Sequence, residues 1–167
     1  PAFSASPSGS SFSWTNNQTA TGLAASGSGN INNFKASSNT TGSNLVSRVI
    51  VLPNLDGCLG YADTFLLTVK PSPIPQAISD ILVCPNDSVL PNNFSSSPAG
   101  ASFEWSNGNT AIGLSASGNG NVPDFKASAN TTGSTVTGWI IYTPTLSSCV
   151  GPSDSFSIGV KPTPSMV

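Results

Sequence analysis

The chain has 167 residues, with 5 Lys+Arg, 7 Asp+Glu, no His and 3 Cys. A net charge of −2 leaves no basic cluster able to displace phosphate counterions, which excludes a nucleic-acid partner. No apolar run approaches the ~20 residues that span a bilayer. An apolar share of 37% beside 30 Ser, 15 Thr and 16 Asn nevertheless predicts a packed core under an uncharged polar surface, and not a disordered chain.

Sliding the sequence against itself by 91 residues aligns it without a gap. Residues 1–73 match 92–164 at 38 positions, most densely in GLAASGSGNINNFKASSNTTGS (22–43) over GLSASGNGNVPDFKASANTTGS (113–134). A fixed period marks one structural unit used twice, and 91 residues are enough for each unit to own a core. The expected domains are therefore a first unit, 1–73, shortened at its amino end, a complete second unit, 74–164, and the start of a further linker, 165–167.

In chain order, short apolar runs are punctuated by Ser, Asn, Gly and Pro, as in strands joined by turns, and helical periodicity is absent. Phe65, Leu67 and Val69 alternate with polar or outward positions in the first unit. The joint VKPSPIPQ (69–76) carries alternate prolines, which bias it to an extended form. The second unit predicts strands at 81–84, 102–106, 124–128, 136–143 and 155–160, with weaker ones between. In the last, Phe156, Ile158 and Val160 share one face. About seven short strands per unit favour a β-sandwich over a barrel. Trp105, about twenty residues after Cys84 and before Cys149, resembles the core Trp that packs near an inter-sheet disulfide.

Cys58 aligns with Cys149, whereas the counterpart of Cys84 falls before Pro1. This predicts a disulfide between Cys84 and Cys149, with Cys58 bonded to a cysteine upstream of the fragment, and hence an oxidising, extracellular compartment. Buried free thiols are the alternative.

Catalysis is not expected. There is no His to move protons, and the acids at Asp56, Asp63, Asp80, Asp87, Glu104, Asp124 and Asp154 are scattered. A serine nucleophile has no base to activate it. The GSGN and GNGN stretches (27–30 and 118–121) lack the Lys-Ser/Thr of a phosphate loop, so they read as turns. Calcium would need Asp154, Asp124 and Asn121 to converge, which nothing in their spacing requires. No cofactor is expected. Lys35 and Lys126 read as charges that blunt strand edges. Trp139 stands where the first unit has Arg48; facing solvent it is a ligand platform, facing inward it is core. The alternation in W-I-I-Y-T does not decide between them.

A Cys opening the unit, a central Trp, GL-x-A-SG-x-GN, F-K-A, N-T-T-G, C-x-G, D-[ST]-F and a closing V-K-P together resemble the PKD-like repeats of the immunoglobulin-like superfamily, found in very large surface proteins of Bacteroidota, including gliding adhesins. The resemblance covers nearly the whole chain. It implies an all-β fold of tandem immunoglobulin-like (PKD-like) β-sandwiches, export by the type IX route, an extracellular location, and a role in attachment or gliding. The implied partners are a surface polysaccharide or other surface ligand and neighbouring repeats. The alternatives are a carbohydrate-binding accessory module of a secreted enzyme and a pure spacer. The Asp-Ser/Thr-apolar pattern of O-glycosylation in such organisms marks Ser88, and more loosely Thr64 and Ser155. Asn-x-Ser/Thr triplets at Asn17, Asn39, Asn86, Asn93 and Asn130 are N-glycan acceptors only in a host that makes them.

Overall fold

The computed structural model describes residues 1–164, so the expected linker at 165–167 lies outside the described residues. The fold is all-β, and the chain divides into two compact units, Pro1–Pro71 and Ser72–Val167. No helix among the described residues is long and apolar enough to cross a membrane.

The first unit contains β1 (Ser11–Asn16), β2 (Ser26–Ser28), β3 (Leu45–Leu55), β4 (Cys58–Leu59) and β5 (Asp63–Val69). They form one antiparallel sheet in which β3 is central, with β1 and then β2 on one side and β4 and β5 on the other. The second unit contains β6 (Ile74–Pro75), β7 (Ile81–Val83), β8 (Ser88–Val89), β9 (Ser96–Ser97), β10 (Ser102–Asn107), β11 (Ser117–Asn119), β12 (Phe125–Lys126), β13 (Val136–Leu146), β14 (Cys149–Val150) and β15 (Asp154–Val160). Its main sheet runs β11-β10-β13-β15-β7, with β14 also on β13; β8–β12 and β6–β9 are separate two-stranded pairs.

Most predicted strands stand where the pattern puts them, and the differences have local causes. β13 continues three residues beyond Thr143 through Pro144, because past the end of its pairing with β15 it is still held by β10, with Phe103 opposite Pro144 and Ser102 opposite Thr145, and by β14, with Val150 opposite Thr145. It then turns back through Ser147 and Ser148, both at positive φ (49° and 69°), into β14, a two-residue hairpin of the kind whose twist matches that of the strands. The strand expected over 124–128 shrinks to Phe125–Lys126, which pairs only with Val89 and Ser88. The second layer of this unit is therefore much smaller than the main sheet.

The repeated motifs explain themselves as packing. The Trp105 indole lies on Gly118, its partner across β10 and β11, and Trp14 lies on Gly27 in the same way. A single 3-10 turn at Thr110–Ile112 is capped by the Asn109 side chain, which accepts from Ala111 N, and closed by Gly113 at φ 103°. A Cβ on Gly113 would meet the Lys126 carbonyl at 2.5 Å, which ties the G-L motif to F-K-A. Asn130, the first residue of N-T-T-G, is buried; its amide donates to the Ser134 and Val160 carbonyls, and its Oδ1 accepts from Thr132 N. Asn39 repeats those bonds on Ser43, Val69 and Thr41.

The core of the second unit gathers Trp105, Ile112, Ile140, Tyr142, Phe156, Ile158 and Val160 from the main sheet side against Val89, Phe94 and Val122. Phe94 stacks on Tyr142 with ring centroids 4.5 Å apart. The hydrophobic core of the first unit is smaller, made of Trp14, Leu23, Ile31, Val49 and Val51.

The expected Cys84–Cys149 disulfide is not formed: Cys58, Cys84 and Cys149 are all free. Strand register gives the reason. Cys149 pairs with Leu146, whereas Cys84 follows Val83, which pairs with Val160 opposite Val136. Leu146 and Val136 lie ten residues apart on β13, roughly 30 Å at the rise of a strand, against the ~7 Å limit between Cα atoms of a disulfide. The same geometry removes the basis for pairing Cys58 with a cysteine one period upstream of Cys84.

Candidate functional site

The outer face of the second unit's main sheet is set by the register that fills its core. Ile140 and Tyr142 point inward against Phe156, so Trp139 and Ile141 point outward, at 55% and 48% exposure. Across the sheet Trp139 is paired with Ser157, and the Gly108 amide donates to its carbonyl. Ile141 sits between Ser106 and Ser155. The indole thus has small residues, Ser157 and Gly108, beside it and the exposed Ile141 two positions along the same face. A carboxylate reaches the strand residue opposite it, since Asp80 accepts from Ser157 N at 2.7 Å, whereas Glu104 stands opposite Thr143, four residues along β13. At the matched place the first unit has Arg48 between Val46 and Ile50, with exposed Leu66 opposite.

The other candidates are not brought together. Asp154 accepts from the Tyr142 hydroxyl at 3.1 Å and from Ser155 N, and Asn121 Oδ1 accepts from Phe94 N. No group of three or more His, Cys, Asp or Glu that suits a metal occurs among the described residues. Ser88, Thr64 and Ser155 are exposed residues on three different strands, β8, β5 and β15. Lys35 and Lys126 are exposed as well. Of the Asn-x-Ser/Thr asparagines, Asn39 and Asn130 are buried with their amides already bonded, so neither is a glycan acceptor in the folded chain.

Tyr142, read from the sequence only as a member of the W-I-I-Y-T run, is a titratable side chain with a displaced pKa. Burial, then the hydrogen bond to Asp154 and that carboxylate's charge, push its pKa up to about 12, and a backbone amide at Ile78 works against them. Its hydroxyl also donates to the Gln76 carbonyl at 2.8 Å. A phenol so placed latches β13 to the segment before β7; it has no access to a substrate. The first unit has Val51 at this position, so the repeat alignment alone gave it no weight.

No protein-family model matches the chain, and no curated protein matches it.

Proposed function

We propose that the chain is a repeat segment of a secreted cell-surface adhesin, built from immunoglobulin-like sandwiches of the PKD-like kind and acting in attachment or gliding. One observation carries this reading. Several residues that the two units share are consumed by the scaffold, as in Trp14/Trp105 on Gly27/Gly118 and Asn39/Asn130 under the last strand, whereas Arg48/Trp139 differ on the exposed sheet face. A scaffold that holds its core and varies its outer face suits presentation. Repetition of weak contacts then supplies avidity. The absence of His and the scattered carboxylates agree with a non-catalytic role.

The exposed indole of Trp139 also favours a second reading, a carbohydrate-binding accessory module, since an exposed aromatic face suits a sugar ring. Its replacement by Arg48 in the first unit favours the adhesin, in which units need not bind alike. The pure spacer is the outcome if neither unit binds. The deciding experiment displays the chain multivalently on beads over glycan arrays and abiotic surfaces. Adhesion lost with Trp139→Ser supports the proposal, and no adhesion at any valency leaves a spacer.

A further inference from the structure

The second unit carries a cleft of about 480 Å³ at the end of β11, where the chain leaves Asn119 through Gly120 at φ 76°. That size falls within the ~300–1,000 Å³ of small-molecule sites. Phe94 and Phe103 supply its apolar lining. Their rings lie 5.2 Å apart and Phe94 is stacked on Tyr142, so this part of the wall is fixed by the core.

The polar lining is arranged by strand register. Glu104, the only Glu in the chain, pairs directly with Asn119 across β10 and β11, which sets their Cβ atoms about 5 Å apart. Asn121 follows two residues on; its Oδ1 accepts from Phe94 N at 2.8 Å, which fixes the amide and leaves Nδ2 as a donor. All three side chains belong to exposed residues, and no Lys or Arg lines the cleft among the described residues. The first unit repeats the frame, since Asn30 Oδ1 accepts from Phe3 N at 2.8 Å, but Ser13 stands opposite Ser28 where the second unit sets Glu104 opposite Asn119. The cross-strand pair changes as a pair while the residues that hold it are kept.

We propose that this cleft is a subsite of the second unit for one neutral pyranose ring. Such a ring presents a C–H face to Phe94 and Phe103, and its adjacent hydroxyls suit an acceptor and a donor side by side. One hydroxyl donates to the Glu104 carboxylate, a charge-assisted bond, and its neighbour accepts from the Asn119 amide, with Asn121 Nδ2 as a further donor. An anion such as a phosphate or a uronate is disfavoured, because Glu104 repels it and no cation in the lining offsets the charge. A wholly apolar ligand would desolvate the carboxylate and both amides without pairing them. Glu104 stands opposite Thr143, four residues along β13 from Trp139, so the subsite is separate from the indole and does not rest on the attachment reading.

The test titrates the intact chain with methyl β-D-glucopyranoside, methyl β-D-galactopyranoside and methyl α-D-mannopyranoside while backbone and side-chain amide NMR signals are followed. At least one glycoside should give saturable shifts at the Asn119 and Asn121 side-chain amides, with a Kd on the order of 1 mM for a single ring, and none at the matched Asn30. Glucuronate should bind about tenfold or more weakly. Glu104→Ser with Asn119→Ser, which installs the first unit's pair at two exposed positions, should weaken binding about tenfold or more while leaving urea melts unchanged. Trp139→Ser should leave the shifts as they are. No saturable shift with any of the three glycosides overturns the proposal, as do shifts that survive the double substitution or that gather on Trp139 instead. Surface adhesion lost or kept with Trp139→Ser bears on the attachment reading and moves none of these signals.

Discussion

Gly118 lies beneath the indole of Trp105, so close that a Cβ built on it would stand 2.5 Å from the six-membered ring. The pair faces across β10 and β11 in direct register and recurs as Gly27 beneath Trp14, where the room is smaller still. Gly118→Ala must therefore lift the indole from the core. A loss of about 1–3 kcal/mol in unfolding free energy is expected for an overpacked site, read from urea melts followed by tryptophan fluorescence. Gly120, which has open space around its Cβ position, provides the comparison. Its cost on substitution is set by its φ of 76° alone.

Asn130 joins the loop before β13 to the final strand through its bonds to Ser134 and Val160. Asn130→Ala removes the donor to the buried Val160 carbonyl, while the Ser134 carbonyl keeps the Thr132 hydroxyl and Thr132 N lies on an exposed residue. The expected loss is about 2–3 kcal/mol, with amide exchange speeding first around Val160. Asn130→Asp restores the acceptor for Thr132 N but replaces the donor with a charge, so it should be no better tolerated than alanine.

The phenol of Tyr142 makes stability fall in alkali. Its folded pKa is raised to about 12 from 10.0, so between those values the folded chain holds a proton that the unfolded chain has released. The contribution is complete below pH 10 and is lost as pH rises through 12; the shift amounts to about 2–3 kcal/mol at 1.36 kcal/mol per unit. Denaturant melts from pH 8 to 12 should show this decline, and Tyr142→Phe should flatten it while lowering stability at pH 8 through the unpaired Gln76 carbonyl and Asp154.

Three free thiols should titrate. Exposed Cys58 and Cys84 should react quickly with a thiol reagent in the native chain, and the half-buried Cys149 more slowly. A non-reducing peptide map that finds Cys84 linked to Cys149 in one monomer would contradict the strand register that separates them.

Trp139→Ser should leave stability within about 0.5 kcal/mol, because the side chain covers no core. Acrylamide should quench mainly the fluorescence that this substitution removes, since Trp14 and Trp105 are buried.

Alternation and punctuation made the strands legible in the sequence, and the 91-residue period made the pair of units legible, because both are written in local spacing. Phe156, Ile158 and Val160 could be assigned one face from a period of two. Trp139 could not, for in W-I-I-Y-T every side chain suits a core and only pairing with Phe156 decides which set turns inward. The cysteines misled for a related reason: their count and repeat position say nothing about register, and register places them at opposite ends of β13 and β15. The latch made by Tyr142 was beyond reach of the sequence, since it is defined by Gln76, in a segment far along the chain. Composition, strand periodicity and repeat length were thus determined by the sequence alone, being properties of neighbouring residues. Which faces are wet and which thiols can meet were decided by tertiary structure, because each depends on pairing between strands that the chain order separates.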